Sequence, residues 1–553
     1  MSAKDVRLGS YAQDGIAQGV NILADAVKCT LGPRGKYVVI GSEYGQPRVT
    51  KDGVFVAKNI SLKDPLQEVG ARMIRSVATS TNDRSGDGTT TASCLAQAII
   101  NEGRKAVTSG RNPMDLKRGI EAAVKAVVET LKGYSKKVET HEEIVQVATI
   151  SANGNREIGK NVAHAIEQVG PTGVVTLETA KTADTTVNLV EGMQFERGFI
   201  SPYFITNSEK MCCEIDDPHI LICDKKIGAL QPILNLLETI AKSGRSLLII
   251  AEDVEGEALA TLVVNRLRGG LPVFAVKAPA FGDRRKQILQ DIAVLVGATF
   301  VSDEIGVKLE KTTLEDLGSA KKVIITKDDT TIVGGIGDQG KVQARVKEIQ
   351  SSIEVTTSDY DRDKLKERLA KLSCGVAVVH VGEMTEAALN EKKECYQDSI
   401  DATRAAIDEG IVAGGGTALL RASQALSVEV DNDDQAAGVE ILRKALVSPC
   451  HQIAKNAGEE AALIVGKIKE NENINFGYDA QNCVFGDMFE KGIVDPMKVV
   501  RNALQSAASV ASMLLITGAS VTDFPKDESS SSKAPAGAGG MPGMGGMGGM
   551  DMM

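Results

Sequence analysis

Apolar residues recur at helical spacing through most of residues 1–136. The clearest segment opens with Asn112 and Pro113, since Asn is a favoured N-cap and Pro is favoured in the first helical turn. One apolar stripe follows, made of Leu116, Ile120, Val124, Val127 and Leu131. This spacing predicts a helix that buries one face.

Residues from about 190 to 375 show a different pattern, in which short apolar runs alternate with helical segments. Two such runs are residues 247–251 and 272–276. Because short apolar runs between helical segments are typical of buried strands, the middle of the chain is predicted to form an α/β layer.

A long polar segment, rich in Glu, Lys and Ala, runs from Thr385 to Glu409 and predicts a helix that ends at Gly410. Helical spacing then returns, and Asp495 with Pro496 opens the last predicted helix. Its shared face carries Val499, Ala503, Ala507, Val510 and Leu514. The order helical, mixed, helical indicates a middle segment inserted into a discontinuous helical domain.

Composition and charge narrow the class of protein. The chain has 553 residues, of which 43% are apolar and 25% charged, and a chain of this length divides into about two to four domains. A net charge of −10 and an aromatic content of 3% argue against a nucleic-acid binder. No apolar run approaches the ~20 residues of a membrane span.

Location and redox state follow from the N-terminus and the cysteines. The first residues lack the features of a signal or transit peptide, so we expect a cytoplasmic protein. Nine cysteines show no metal-binding spacing, and we expect reduced thiols. Residues 527–553 are rich in Gly and Met and are predicted to be disordered, either as a passive tail or as a source of soft apolar contacts.

The strongest chemical signal is the segment 82–91, which stands directly before an apolar helical stripe. A helix N-terminus attracts phosphate through its free N–H groups and the positive end of its dipole. Gly86 and Gly88 would let a phosphate approach the backbone, and Asp87 would hold a magnesium ion that bridges phosphates. The alternative is a glycine turn in which Thr caps the helix.

Other candidate segments are weaker. The glycine turns 30–33, 51–53 and 414–416 would face the same ligand, although each alone is an ordinary turn. Residues 335–340 match the spacing of a dinucleotide fingerprint, but the match is isolated and we interpret it as a surface turn. Asp398 lies within the polar helix, where a carboxylate is usually part of a solvated face.

These segments closely resemble the group I chaperonins, the GroEL type of bacteria and organelles, from Ala3 to the Gly/Met-rich tail. The motifs that carry the resemblance are residues 24–26, 31–33, 86–91, 148–153, 191–193, 249–258, 402–406 and 412–416. The resemblance implies an ATP-hydrolysing chaperonin that captures non-native polypeptides on an apolar apical surface and encloses them in a ring chamber.

A multidomain α/β fold is implied by the same resemblance. It has a mainly helical equatorial ATPase domain, a small intermediate α/β hinge domain and an α/β apical domain inserted in the middle of the chain. The implied boundaries are 1–136 and 410–526 for the equatorial domain, 137–191 and 376–409 for the intermediate domain, 192–375 for the apical domain, and 527–553 for the tail. Gly192 and Gly375 match the hinge between the apical and intermediate domains, where glycine absorbs dihedral change.

The resemblance further implies a site for ATP, Mg²⁺ and K⁺. Asp398 would activate the attacking water, Asp52 would be a second catalytic carboxylate, and Asp87 would coordinate Mg²⁺. The backbone carbonyls of Thr30 and Lys51 would lie near K⁺. The implied nucleotide-binding set is Thr30, Leu31, Gly32, Pro33, Lys51, Gly86, Asp87, Gly88, Thr89, Thr90, Thr91, Gly415, Asp479, Ala480 and Asp495.

Two apolar segments, 230–241 and 258–267, predict helices whose apolar arcs are wider than one buried face requires. Core packing of both helices is the alternative. The resemblance places the surface for clients and co-chaperonin at Phe199, Tyr203, Phe204, Leu234, Leu237, Leu259, Val263 and Val264. The implied partners are non-native polypeptides, a GroES-type co-chaperonin and further copies of the chain in two stacked rings of seven, with no nucleic acid and no membrane.

Three residues depart from the pattern of the family. Asp479 stands where many bacterial members have Asn, Ala280 stands at a glycine position, and His451 replaces a common Arg near the contact between rings. Two other functions are alternatives: a secreted or surface-displayed binding protein that keeps the fold, and a small-molecule kinase. The presence of Asp87 and Asp398 argues against loss of the ATPase, and no acceptor pocket for a kinase substrate is recognisable.

Overall fold

The computed structural model describes residues 4–41, 47–170, 173–180, 182–208, 210–269, 271–356, 358–373 and 375–523. The Gly/Met-rich tail that is predicted to be disordered lies outside these residues. Among the described helices, none combines the length and apolar character needed to cross a lipid bilayer. The eight cysteines within the described ranges are free thiols, as the sequence predicts.

The described chain as far as Tyr134 is mainly helical. Its elements are β1 (Lys4–Leu8), α1 (Gly9–Lys28), β2 (Val38–Ile40), β3 (Arg48–Thr50), α2 (Gly53–Asn59), α3 (Pro65–Ser85), α4 (Thr89–Thr108) and α5 (Pro113–Tyr134). Helix α5 is confirmed, because Asn112 accepts a hydrogen bond from the N–H of Met114. Four residues of its predicted stripe are buried, and Val124 is half-buried.

Two helices and two strands follow: α6 (His141–Ser151), α7 (Arg156–Val169), β4 (Val174–Thr179) and β5 (Thr186–Val190). Helix α6 begins with a capping box, in which the side chain of Thr140 accepts from the N–H of Glu143 and the side chain of Glu143 accepts from the N–H of Thr140. Both helices pack against the long helix α13, which is described below.

The middle of the chain is an α/β layer, as predicted. Its elements are β6 (Gly192–Phe195), β7 (Cys213–Asp216), β8 (His219–Ile227), α8 (Leu234–Ser243), β9 (Leu247–Val254), α9 (Gly256–Leu267), β10 (Val273–Lys277), α10 (Gly282–Val296), β11 (Phe300–Val301), β12 (Gly318–Ile325), β13 (Thr330–Gly335), α11 (Gln339–Val355) and α12 (Asp359–Ser373). The main path of its sheet is β10-β9-β8-β12-β13-β6. The two predicted apolar runs lie in β9 and β10, which pair in parallel with Leu247 opposite Val273.

The dinucleotide-like segment 335–340 connects β13 to α11. A strand and a helix therefore do flank it, but β13 is antiparallel to both of its neighbours, β12 and β6. The fingerprint requires a parallel βαβ unit, and Ile336 is 65% exposed. The segment is a surface turn.

A strand and the long helix then follow, β14 (Val376–Val381) and α13 (Glu386–Glu409). Strand β14 lies between β4, to which it is parallel, and β5, to which it is antiparallel. The predicted helix is confirmed at both ends. The side chain of Thr385 accepts from the N–H of Ala388, and Gly410 follows the last turn with a φ of +84°.

The rest of the described chain is again mainly helical. Its elements are β15 (Ile411–Ala413), α14 (Thr417–Ala425), α15 (Asp433–Ala445), α16 (Ser448–Asn456), α17 (Ala461–Glu470), β16 (Phe476–Asp479), β17 (Val484–Asp487), β18 (Val494–Pro496), α18 (Met497–Leu515) and β19 (Ala519–Asp523). The last helix begins later than the sequence predicts. Asp495 and Pro496 belong to β18, which pairs with β15, and the helix starts at Met497.

The three largest apolar cores among the described residues follow the order of the chain. One core joins α1–α5 to α14, α15 and α18, so it draws on both ends of the chain. A second joins α6, α7, β4, β14 and α13. The third lies around the large sheet, between Met193 and Leu372. This distribution is what an inserted middle segment requires, and the domain boundaries themselves stay a prediction.

The chain passes twice between the second and third cores, and each connection contains one of the predicted hinge glycines. A Cβ on Gly192 would lie 2.6 Å from Cγ2 of Val376, and a Cβ on Gly375 would lie 2.7 Å from the carbonyl oxygen of Val190. Gly375 also has a φ of +67°. Both positions therefore require glycine for packing, and their role as hinges stays a prediction.

Candidate functional site

The site is built around the start of helix α4. Gly86 and Gly88 have φ angles of +68° and +85°, and the helix begins at Thr89. A Cβ on Gly53, at the start of α2, would lie 2.4 Å from the hydroxyl oxygen of Thr90 and 3.1 Å from that of Thr89. The first N–H groups of α4 have no partner within the helix and leave its positive dipole end facing outward.

A cavity of about 730 Å³ opens at this helix start, which is within the usual size range of small-ligand pockets. Most of the predicted nucleotide and catalytic residues line it. They are Thr30, Leu31, Gly32, Pro33, Lys51, Asp52, Asp87, Gly88, Thr89, Thr90, Thr91, Asp398, Gly415, Asp479, Ala480 and Asp495. The structure thus brings together residues from seven separate stretches of the chain.

Gly86 is the predicted residue that the cavity wall does not include. It caps the end of α3, and its backbone N–H bonds to the carbonyl of Asn82. A Cβ at this position would lie 2.2 Å from Cβ of Asp401 on α13. Gly86 therefore permits close packing of the loop between α3 and α4 on α13, and it does not line the cavity.

Asp87 is held in the cavity wall by two donors. The N–H of Gly88 donates to Oδ1, and the hydroxyl of Ser151, the last residue of α6, donates to Oδ2 at 3.1 Å. Burial raises the pKa of Asp87 above its usual range, and the nearby carboxylate of Asp52 raises it further. The side chain is fixed in place at an electrostatic cost that a bound cation would offset.

Asp398 and Asp495 add further negative charge. Burial raises the pKa of Asp398 well above its ordinary value, and the carboxylates of Asp87 and Asp52 add to the shift. Burial also raises the pKa of Asp495 to about 7, with a contribution from Asp87. Clustered carboxylates with perturbed pKa values in a cavity are typical of functional sites.

The donor set suits a divalent cation that is shared with a ligand. Among the described residues, no group of three or more His, Cys, Asp or Glu side chains could hold a metal ion by itself. Mg²⁺ usually takes one or two carboxylates and completes its shell with phosphate oxygens and waters. Asp87 fits that pattern, whereas the potassium site at Thr30 and Lys51 stays a prediction.

Two predicted site residues also have structural roles that the sequence analysis missed. Asp52 is the N-cap of α2, and its carboxylate accepts from the N–H groups of Val54 and Phe55 at 2.8 and 3.0 Å. Asp479 accepts from the N–H groups of Gln481 and Asn482 at 3.0 and 3.2 Å. Asp479 thereby stabilises the turn between β16 and β17.

Several cavity residues were not predicted individually. Ser151 lies in the wall with Asn153, and Glu391 and Glu394 approach it from α13. Both glutamates lie on the same helical face as Asp398, one and two turns earlier, so helical spacing from Asp398 would have identified them.

The predicted client surface is only partly exposed. Tyr203, Leu234 and Val264 are 65%, 46% and 43% exposed, whereas Phe204 and Leu237 are buried at 0% and 6%. Phe199, Leu259 and Val263 are half-buried and pack against the core of the large sheet. In this conformation Phe204 and Leu237 lie in the core and not on the surface where the resemblance places them. The client-binding role of the exposed residues stays a prediction.

Fold and site together define a multidomain α/β protein with an acidic cavity of small-ligand size at a glycine-flanked helix start. Residues 23–522 match the model of the TCP-1/cpn60 chaperonin family. The chain therefore belongs to the TCP-1/cpn60 chaperonin family. Membership supports a chaperone role in protein folding, in a family whose members in general hydrolyse ATP and form rings.

Proposed function

We propose that the chain is a cytoplasmic group I chaperonin subunit that binds and hydrolyses ATP, and that hydrolysis drives capture and enclosure of non-native polypeptides with a GroES-type co-chaperonin. One observation carries the ATPase part. The cavity at the start of α4 brings together Asp87, from the loop between α3 and α4, and Asp398, from α13, although the two residues are far apart in sequence.

The residues of the cavity suit in-line phosphoryl transfer to water, which needs mainly positioning and charge stabilisation. The start of α4 and the hydroxyls of Thr89, Thr90 and Thr91 bind phosphate oxygens. Asp87 would hold Mg²⁺, which neutralises phosphate charge when bound. Asp398 accepts the proton of the attacking water, for which a raised pKa is favourable.

The nucleoside end of the ligand would lie farther along the cavity. Asp479 and Ala480 border it where β16 ends, and Gly415 and Asp495 border it from the turn after β15 and from β18. Asp479 is already bonded to its own turn, so we expect it to shape the adenine pocket more than to bond adenine.

Ring assembly is supported by exposed apolar strands. Val6, Leu8 and Val521 of the β1–β19 sheet are 55%, 68% and 63% exposed, and Val39 and Val49 of the β2–β3 hairpin are 65% and 51% exposed. Exposed apolar edge strands are sites of pairing with another chain. Native mass spectrometry should give a particle of about 800 kDa for two stacked rings, and a monomer under all conditions would contradict the chamber.

The ATPase is tested by Asp398→Ala. Loss of the general base should leave the Kd for Mg·ATP within about threefold while kcat falls at least about a hundredfold, in line with the usual contribution of general-base catalysis. Calorimetry measures the first quantity and phosphate release the second. Unchanged turnover would refute the role of Asp398, and absence of ATP binding by the wild-type chain would refute the nucleotide site.

A further inference from the structure

The β2–β3 hairpin contacts helix α13 through Arg48. Its guanidinium forms an ion pair with Glu394 and lies over the ring of Phe55, with Cζ 3.7 Å from the ring centroid. Each side chain of the ion pair is 35% exposed. The pair is thus partly shielded from solvent, and the aromatic ring limits the orientations of the guanidinium.

Arg48 touches both elements that carry the proposed catalytic carboxylates. Glu394 precedes Asp398 by one helical turn on the same face of α13. Phe55 lies in the first turn of α2, and its N–H donates to Oδ2 of Asp52 at 3.0 Å. One side chain therefore connects α13 to α2 at the level of the cavity.

A second contact between this part of the chain and α13 lies one turn closer to the N-terminus of the helix. The hydroxyl of Tyr37 donates to Oε1 of Glu391 at 2.9 Å, and Nζ of Lys51 lies 5.0 Å from the centroid of the Tyr37 ring. Tyr37 and Arg48 thus bond to two successive turns of α13.

The cavity face of α13 meets carboxylates from other elements. Asp398 shares the cavity with Asp87 and Asp52, and burial together with these two carboxylates raises its pKa. Like charges on separate elements favour withdrawal of the helix from the cavity. A cation that binds α13 from the opposite wall counteracts the withdrawal, and Arg48 is in that position.

We propose that Arg48 is a positioning residue for ATP hydrolysis. Its ion pair with Glu394, supported by the ring of Phe55, holds α13 against the hairpin and so keeps Asp398 at the reacting end of the cavity. The inference rests on the proposed ATPase, but the docking of α13 on the hairpin is measurable without it.

The test compares Arg48→Ala, Glu394→Ala and the double variant in the full chain. A small displacement of a catalytic group from its productive position lowers the rate steeply. We therefore expect kcat to fall about tenfold or more in each single variant. The Kd for Mg·ATP should stay within about twofold. Because both residues act through one contact, the double variant should be no slower than the slower single variant.

Two further variants separate positioning from general structural damage. Arg48→Lys keeps the positive charge and should retain most of kcat. Lys498→Ala removes another ion pair of α13, the 2.7 Å contact between Nζ of Lys498 and Oδ2 of Asp408 at the far end of the helix. That variant should keep kcat within about twofold, since α13 stays bound there through Arg501 and Glu409.

Amide hydrogen exchange supplies a readout that does not depend on turnover. Exchange across residues 391–401 should quicken in Arg48→Ala and stay unchanged in Lys498→Ala. Unchanged exchange together with unchanged kcat would overturn the proposal, as would additive losses in the double variant. If the wild-type chain binds no ATP, the proposed function fails, while faster exchange in Arg48→Ala would still support the docking role.

Discussion

The hydroxyl of Ser151 donates to Oδ2 of Asp87 at 3.1 Å, and this bond joins the last turn of α6 to the loop between α3 and α4. The helices that flank them belong to different apolar cores, since α3 and α4 pack in the first core and α6 packs in the second. Ser151 therefore orients the carboxylate that would hold Mg²⁺, although Ser151 lies on α6, a helix that packs in the second core.

Ser151→Ala should weaken binding of Mg·ATP. A hydrogen bond to a charged group contributes about 1.5 kcal/mol, so we expect the Kd to rise about tenfold. Calorimetric titration measures it. Ser109→Ala is the control, because the Ser109 hydroxyl bonds only to a backbone carbonyl at the exposed end of α4, and its Kd should match that of the wild type.

Asp495 should make stability depend on pH. Its pKa is raised from 3.8 to about 7 in the folded state, so between these values the folded state binds a proton that the unfolded state has lost. Stability from this group is therefore present at low pH and is lost as pH rises through about 7.

The measurement is the thermal unfolding midpoint of the ligand-free chain and of Asp495→Asn across this pH range. The midpoint of the wild type should fall relative to that of the variant as pH rises. Glu129→Gln, at an exposed position of α5, should follow the wild type. Parallel curves for the wild type and Asp495→Asn would show that Asp495 titrates normally.

The sequence predicts local structure well where local chemistry decides it. Asn112 before Pro113, and Gly410 after the long helix, are the caps found in the structure. The start of α18 was misjudged because Asp495 and Pro496 pair with β15, and pairing between distant segments leaves no local signal. Asp398 likewise reads as part of a solvated face until α13 is placed beside Asp87, and only the resemblance supplied that proximity.

The predicted client surface is a part of the fold that the sequence does not determine. Helices α8 and α9 have wide apolar arcs, and the sequence does not say which side of each arc the large sheet covers. In the structure Leu237 faces the core, whereas Leu234 and Val264 face outward. A mutation that tests client capture therefore belongs at the exposed positions Leu234 and Val264 and not at Leu237.

Leu234→Glu and Val264→Glu should each reduce capture of a chemically denatured client while ATP turnover is retained. A charge placed in an exposed apolar patch removes the surface that binds unburied apolar side chains. Light scattering of the aggregating client measures capture. Asn235→Glu introduces the same charge at a neighbouring exposed position of α8 without loss of apolar surface and should capture normally.

Leu237→Glu should behave differently, because it places an unpaired charge in the core. We expect it to lower the unfolding midpoint markedly, whereas Leu234→Glu leaves the midpoint unchanged. Equal midpoints for these two variants would mean that Leu237 reaches the surface in solution.

Ala280→Gly should stabilise the part of the chain built on the large sheet. Ala280 has a φ of +61°, in the left-handed region, between β10 and α10. This conformation costs a residue with a Cβ about 1–2 kcal/mol, and glycine adopts it freely at some loss of unfolded-state entropy. The net gain should be about 1 kcal/mol, measured by urea unfolding. Ala278→Gly is the control, because Ala278 is buried and its φ is not positive. That variant should lose stability. A loss of stability in Ala280→Gly as well would show that the Ala280 methyl group packs favourably.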